Sequence, residues 1–196
     1  MTLDGGEGSL WCAVIDVMAG YAYLGTATSP GRVVKVALGS GDSPPTRVGA
    51  VTLNSGENRL SSAVIDPSSG YAYFGTDTSP GRVVKVALGS GDNPPTRIGA
   101  VTLDSGEGSL SCAVIDGRAG YAYFGAADEP DQLVKIELGA GADPPTRIGA
   151  AMLDAPDGYL ACAVVDVTSG YTYLGLFSSP ARVIKVALAV GAAPPI

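Results

Sequence analysis

Four acidic side chains recur at one spacing and could together bind a metal ion. They lie 50 residues apart, each just ahead of an apolar run, and are Glu7, Glu57, Glu107 and Asp157. Carboxylate oxygens are the ligands that a hard cation such as Ca²⁺ prefers. The surrounding sequence lacks the dense, alternating acids of a calcium-binding loop. We therefore interpret the four as a solvated acidic rim and keep a bound Ca²⁺ as the alternative.

A second acidic set follows each apolar run and could form a ring of ligands. Its members each precede a glycine by four residues, and they are Asp16, Asp66, Asp116 and Asp166. An aspartate in this position can accept hydrogen bonds from the main-chain N–H groups of its own turn. The glycine spacing fits a tight hairpin, so the pattern favours this structural role over a ligand role.

Groups suited to nucleophilic or acid–base catalysis are few, because the chain has no histidine. That absence removes the commonest general base and the commonest metal ligand. Cys12, Cys112 and Cys162 share one repeat position, which Ser62 occupies in the second copy. Since their neighbours are small and apolar and no CxxC spacing occurs, they are predicted to be core residues, with a reactive thiol as the alternative. No phosphate-binding loop or nucleophile elbow is present.

The lysines recur with the same period and account for every lysine in the chain. Each lies in mid-run between β-branched residues, and they are Lys35, Lys85, Lys135 and Lys185. A catalytic lysine is not expected four times over. The pattern predicts that each stem packs while its ammonium group pairs with an acid or reaches water.

Aromatic residues mark where the copies agree and where they differ. Every copy carries a Tyr-x-Tyr pair, beginning at Tyr21, Tyr71, Tyr121 and Tyr171. Such pairs are predicted to pack between repeats with their hydroxyls bonded at the edges, and sugar stacking is the alternative. Trp11, Tyr159 and Phe177 break the repeat. Trp11 and Tyr159 share nearly the same phase, so we expect them to pack across a closing seam.

The repeat itself predicts the elements that position these side chains. Its copies span 1–50, 51–100, 101–150 and 151–196, and together they form one predicted domain. In the second copy, β-type runs cover 60–66, 71–76, 82–88 and 96–103, separated by Gly- and Pro-rich turns. Four strands per unit at this period are typical of a β-propeller blade. We predict an all-β, four-bladed propeller with the first run of each copy at the central axis.

The run AVIDPSSGYAYFGT, followed by RVVKVAL, resembles the YVTN and NHL-like class of propeller blades. In that class an apolar inner strand ends in an Asp-Pro-x-x-Gly turn, and an aromatic second strand and a Val-rich third strand follow. The resemblance covers all four copies. The turn proline is present only in the second copy, whereas Val17, Gly117 and Val167 replace it elsewhere. The resemblance implies the fold and leaves the function open, since the class includes enzymes, surface proteins and docking platforms.

The fourth copy lacks its last strand, and the N-terminus carries residues in the matching phase. We expect this strand to complete the fourth blade, in the same chain or a neighbouring one. The predicted closure residues are Met1, Thr2, Leu3, Arg182, Val183, Ile184, Lys185, Val186, Ala187 and Leu188. A four-bladed ring, a larger ring shared with a second copy and an open head-to-tail fibre are the three expected outcomes.

Composition narrows the functional classes. Hydrophobic residues make up 46%, charged residues 16%, and the net charge is −7. Twelve scattered basic residues do not form the stripe that nucleic acid requires, and no apolar run reaches the ~18 residues of a membrane span. The N-terminus has neither the charged nor the apolar segment of a secretory signal. The acidic, turn-rich, lysine-poor composition favours an extracellular setting, although the unpaired thiols oppose it.

Uniform repeats offer one side chain four times, whereas an enzyme site needs different groups around one substrate. We therefore expect a non-enzymatic structural or interaction scaffold, capable of self-assembly through the incomplete blade. A multivalent propeller that binds glycans or a protein is the first alternative. A lactonase-like hydrolase with a cation in its channel is the second, and it depends on fold analogy alone.

Overall fold

The computed structural model describes residues 1–153 and 158–196, and its regular structure consists of β-strands. The strands fall into four groups that follow the sequence repeat. Blade 1 holds β1 Leu10–Asp16, β2 Tyr21–Thr26, β3 Arg32–Ala37 and β4 Thr46–Thr52. Blade 2 holds β5 Leu60–Asp66, β6 Tyr71–Thr76, β7 Arg82–Ala87 and β8 Thr96–Thr102. Blade 3 holds β9 Leu110–Asp116, β10 Tyr121–Ala126, β11 Gln132–Glu137 and β12 Thr146–Met152. Blade 4 holds β13 Tyr159–Asp166, β14 Tyr171–Phe177 and β15 Arg182–Ala187.

Each group is one antiparallel sheet whose strands pair in chain order. Blades 1 to 3 have four strands, and blade 4 has three in its described residues. The strands predicted from the second copy are confirmed, except that the third and fourth end one residue earlier than predicted. The all-β propeller architecture is therefore confirmed. Among the described residues, no helix has the length and apolar character needed to cross a membrane.

The first strands of the blades line the inside of the arc. β1 packs against β5, β5 against β9, and β9 against β13. This confirms that the small, apolar run of each repeat lies at the hub. Next to the hub, Gly25 of β2 leaves room for the following blade, because a Cβ added there would lie 2.8 Å from Leu60 Cβ. That space allows Leu60 of blade 2 to be fully buried against blade 1.

The turn after each inner strand has the predicted structure. The Asp16 and Asp116 carboxylates accept hydrogen bonds from the main-chain N–H groups of Ala19 and Ala119 at 3.0 Å. Gly20 follows with φ of 79°, a conformation that favours glycine. The structural role predicted for these aspartates is confirmed.

The fourth blade is not completed by the N-terminus of the same chain. Residues 1–3 belong to no strand, and β15 forms the outer edge of its sheet in the described residues. β1 and β13 do not pack together as neighbouring inner strands do. Leu10 of blade 1 is 42% exposed, and Val183 of blade 4 is 73% exposed. The blades thus form an open arc with an uncovered face at each end, and a four-bladed ring closed by Met1, Thr2 and Leu3 is not what the chain forms.

Candidate functional site

Each repeated glutamate in the described part of the chain forms an ion pair with an arginine from the last strand of the same blade. Glu57 is 1% exposed and receives Arg97 Nε at 2.8 Å and Arg97 Nη2 at 2.5 Å. Its Oε2 also accepts the Asn54 N–H at 2.9 Å. Arg47 binds Glu7 in the same way, and this hydrogen bonding is the main reason that the pKa of Glu7 lies below its usual value.

The proposed ring of cation ligands does not form in the described part of the chain. Glu7, Glu57 and Glu107 lie on separate blades, and each is paired with its own arginine. No group of three acidic or cysteine side chains there is placed to hold a metal ion. A carboxylate bound on both oxygens by a guanidinium has little capacity left for a cation. The solvated acidic rim is also wrong, because these glutamates are buried. Asp157 lies outside the described residues.

The lysines join one blade to the next through main-chain oxygens. Lys85 is fully buried and donates to the carbonyls of Gly139, Gly141 and Asp143 at 2.7–3.0 Å. Its Nζ also lies 4.3 Å from the centroid of the Tyr71 ring. The structural role predicted for the lysines is confirmed, but the expected acidic partner is replaced by carbonyl dipoles and an aromatic face.

The second tyrosine of the first two pairs also bridges adjacent blades. The Tyr23 hydroxyl donates to the Leu88 carbonyl, and the Tyr73 hydroxyl donates to the Leu138 carbonyl, both at 3.1 Å. The packing role predicted for the tyrosines is confirmed. Burial raises the pKa of Tyr23 to about 12, so its hydroxyl remains a donor at neutral pH.

Cys12 and Cys112 have no features of a reactive site. Cys112 is 6% exposed, and burial raises its thiol pKa to about 11. A thiol with a raised pKa is a poor nucleophile, because the thiolate is the reactive form. Cys12 and Cys112 thus serve as core residues, whereas Cys162 is exposed on the uncovered face of blade 4.

A cleft between blades 3 and 4 brings together residues that depart from the repeat. It has a volume of about 510 Å³, is widely open to solvent, and is lined by Ala127, Glu129, Gly158, Tyr159 and Phe177. The Tyr159 and Phe177 rings stack with their centroids 5.0 Å apart and their planes at 23°. They remain 49% and 67% exposed, so a ligand can reach both rings. The cleft therefore offers an aromatic surface beside a carboxylate.

The equivalent position between blades 1 and 2 has different chemistry. There Arg59 and Asp77 replace the aromatic pair and form an ion pair at 3.0 Å. Ser29 of blade 1 stands there in the place that Glu129 of blade 3 has in the aromatic cleft. The aromatic and acidic cleft is thus a feature of blades 3 and 4, built on a backbone that the other blades share.

A buried acid lies close to this cleft. Asp131 is 3% exposed, and the corresponding residues of the other copies are Gly31, Gly81 and Ala181. Neither of its carboxylate oxygens has a hydrogen-bond partner among the described residues, although the Leu160 N–H is close enough to favour the charged form slightly. Burial, together with the charge of Glu129, raises the pKa of Asp131. A buried acid with a raised pKa and no hydrogen-bond partner for its carboxylate oxygens among the described residues is typical of a functional site.

Replacing Asp131 with asparagine is expected to stabilise the protein. At about pH 7 the gain in the free energy of unfolding is expected to be about 1–2 kcal/mol, because the variant no longer buries a charge that has no cationic partner among the described residues. The raised pKa means that this cost is present above the folded pKa and disappears as the pH falls through it. Urea unfolding of both proteins across this pH range measures the difference. Asp42→Asn, at an exposed turn position, is the control. A stability loss in Asp131→Asn at neutral pH contradicts this interpretation.

Sequence reasoning identified part of this site. Tyr159 and Phe177 were recognised as breaks in the repeat, but Tyr159 stacks on Phe177 and not on Trp11, which is 52% exposed. Glu129 and Asp131 were missed. The signal was available, since AADEPD occupies the position of TDTSPG in the second copy and adds two carboxylates there.

No family model matches the chain, and no curated protein matches it. Solved structures with the same fold include two Bacteroides proteins to which 6-phosphogluconolactonase activity is attributed. The chain from Bacteroides uniformis has a TM-score of 0.63 at 13% identity, over 94% of this chain and 56% of that one. The chain from Bacteroides fragilis has a TM-score of 0.65 at 12% identity, over 95% and 57%. The Myceliophteria thermophila Swd1 β-propeller domain has a TM-score of 0.60 at 14% identity, over 95% and 54%.

These similarities confirm β-propeller blades, and this chain spans little more than half the length of each of the three neighbours. The expectation of a non-enzymatic scaffold is corrected by the two proteins with attributed lactonase activity. The copies are also not uniform at every position. The residues that differ between copies include several around one cleft, where different groups do converge.

Proposed function

We propose that the chain is a hydrolase of neutral sugar lactones and that its site is the cleft between blades 3 and 4. The observation that carries this proposal is the stacked pair of Tyr159 and Phe177 beside Glu129. Exposed aromatic rings bind the apolar C–H face of a sugar ring, and a carboxylate accepts hydrogen bonds from its hydroxyl groups.

The reaction needs a base near the ester carbonyl. In the proposed step Glu129 removes a proton from a water molecule, whose oxygen bonds to the lactone carbonyl carbon. The tetrahedral intermediate then collapses, the ring carbon–oxygen bond breaks, and the proton passes to the departing oxygen. The product is the open hydroxy acid, and no oxidant or reductant is needed.

The charge of the cleft favours an uncharged substrate. Glu129 lines it, and none of its described lining residues is a lysine or an arginine. A phosphate ester carries about −1.5 to −2 charge at neutral pH and requires cationic or N–H donors. We therefore expect this chain to act on an unphosphorylated lactone, in contrast to the phosphorylated substrate named for the two Bacteroides proteins.

We also propose that the blades belong to the YVTN and NHL-like class of propellers. The AVID run, the Tyr-x-Tyr strand and the RVVKVAL strand support membership of the YVTN and NHL-like propellers. Their observed positions as inner, second and third strands are consistent with that class. A hydrolase would be one of the several activities that this class accommodates.

Hydrolysis of glucono-δ-lactone, followed in a pH-stat against the spontaneous rate, tests the proposal. The protein is expected to exceed the spontaneous rate, and Glu129→Gln is expected to lose at least about 100-fold in kcat/KM. Glu137→Gln removes an exposed carboxylate of the same blade and is expected to retain full activity. No rate above the spontaneous one, or equal rates in Glu129→Gln and the original protein, contradicts a hydrolase at this site. Sugar binding without turnover also contradicts it.

A further inference from the structure

The same blade-to-blade interface occurs three times within the chain. On one side, Val33, Val83 and Leu133 are at most 1% exposed, because the following blade covers them. On the other side, Leu60, Leu110 and Leu160 are fully buried against the preceding blade. The chain therefore defines both halves of one interface, and every inner blade presents both.

The two end blades each present one uncovered half of this interface. Val183 of blade 4 is 73% exposed and Val164 is 66% exposed, whereas Val64 and Val114 are 6% exposed. On blade 1, Leu10 is 42% exposed. The exposed side chains are chemically the same as those buried at the three internal interfaces. The uncovered halves are consequently complementary to one another.

Polar groups on the two faces are complementary as well. Lys135 donates to the carbonyls of Ala189, Gly191 and Ala193 at 2.6–3.0 Å, as the two preceding lysines do to their own following blades. Lys185 has no following blade in the chain and is exposed. Its Nζ nevertheless lies 3.8 Å from the centroid of the Tyr171 ring, so it already has the position that its counterparts use.

The acceptors that match Lys185 lie on blade 1. Residues 39, 41 and 43 have the same repeat positions as Gly89, Gly91 and Asn93, whose carbonyls accept hydrogen bonds from Lys35. Pro45 is exposed there, whereas Pro95, Pro145 and Pro195 at the same phase are buried. Blade 1 thus has the same acceptor loop as blades 2 to 4. In blades 2 to 4 this loop accepts hydrogen bonds from the lysine of the preceding blade, whereas no blade of this chain precedes blade 1.

We infer that a second copy of this chain covers both faces, with blade 4 of each copy packed against blade 1 of the other. Two such contacts close a ring of eight blades with two-fold symmetry, within the size range of four to eight blades known for propellers. This inference is independent of the proposed hydrolysis.

The open edge of β15 fits the same arrangement. In blade 3, Leu133 pairs with Ala151 and Gln132 pairs with Met152. By the repeat, Val183 and Arg182 are the corresponding edge residues, and residues 1 and 2 have the phase of their missing partners. The N-terminal residues of the second copy therefore lie along β15, which removes an exposed strand edge.

Mass measurement by light scattering and native mass spectrometry tests this inference. The original protein is expected at twice the chain mass of 19.6 kDa. Val183→Asp and Leu10→Asp each place a charge on one uncovered face and are expected to weaken association at least about 100-fold. Both positions are exposed in the single chain, so each variant should fold, which circular dichroism checks.

Val190→Asp is the matched control on blade 4. Val190 is 95% exposed, and the residues at its phase in the other blades are exposed even where a following blade is present. It is expected to keep the two-copy mass. A protein that stays at single-chain mass over its whole soluble range overturns the inference. Open-ended polymers, or a two-copy mass in folded Val183→Asp, overturn it equally.

Discussion

Glu57→Gln is expected to lower the free energy of unfolding by about 3–5 kcal/mol. Glu57 is 1% exposed, holds Arg97 through both oxygens, and also accepts a main-chain N–H from Asn54. The substitution keeps the shape of the side chain but leaves Arg97 without its charged partner. The new amide NH₂ group, itself a donor, must also face the N–H donors of Arg97 or Asn54. Urea unfolding at neutral pH measures the loss.

The matched control is an ion pair of the same type at the surface. Arg59 and Asp77 lie 3.0 Å apart, with 50% and 27% of their side chains exposed. Asp77→Asn is expected to cost less than about 1 kcal/mol, because water stabilises both groups once they are separated. Equal effects of Glu57→Gln and Asp77→Asn contradict the account of Glu57 as a buried structural group.

The pH dependence of this kind of pair has a definite sign. The pKa of Glu7 is lowered in the folded protein, mainly by its hydrogen bonds from Arg47. Its stabilising contribution is therefore complete above the ordinary value of 4.5 and is lost as the pH falls through the lowered folded pKa. This trend is opposite to the one expected for Asp131.

Lys85→Met is expected to lower the free energy of unfolding by about 3 kcal/mol. Methionine has nearly the same length, so packing changes little. The substitution removes the donor that satisfies the carbonyls of Gly139, Gly141 and Asp143. Because the lysine is fully buried, water cannot easily replace it. Thermal and urea unfolding measure the loss.

Lys185→Met makes the same chemical change at the same repeat position. Lys185 is exposed and has no following blade in the chain, so unfolding of the single chain is expected to change by less than about 0.5 kcal/mol. The comparison should be made at concentrations where the copies are separate, or in the Val183→Asp background. A loss as large as that of Lys85→Met contradicts the assignment of the lysine to the contact between blades.

Much of the fold could be predicted from the repeat. Period-two alternation at Tyr71–Thr76 and the Gly-rich turns give the strands, and the small residues of Leu60–Asp66 indicate the crowded hub. The repeat did not predict whether blades 1 and 4 meet to close a ring. Similar copies show which strands pair within a blade, but they do not show the angle between neighbouring blades. That angle depends on side-chain packing between sheets, and it leaves blades 1 and 4 apart.

The environment of the repeated acids was predicted wrongly, both as a solvated rim and in the Ca²⁺ alternative, because the spacing of the acids was considered without the spacing of the arginines. Arg97 follows Glu57 by 40 residues, as Arg47 follows Glu7. A constant separation between opposite charges indicates pairing within a blade as readily as convergence of the acids at an axis. Sequence alone does not separate these two, because both follow from the same period.

The candidate site could be predicted only where the repeat fails. Tyr159 and Phe177 differ from their counterparts, yet 18 residues separate them, and their stacking depends on the register in which Tyr159 pairs with Phe177 across β13 and β14. Asp131 is an acid at a phase otherwise held by glycine or alanine. A comparison of the four copies for lost uniformity would have found both features.

A crystal structure with the δ-lactam of gluconic acid bound is the most direct test of the account. The ring nitrogen of this analogue resists hydrolysis and preserves the shape and neutral charge of the lactone. The lactam ring is expected to stack on Tyr159 and Phe177. Its carbonyl carbon is expected to lie so that a single water molecule fits between it and the Glu129 carboxylate. A lactam bound along the inner strands, or in the equivalent cleft beside Arg59 and Asp77, would place the site elsewhere and contradict the account.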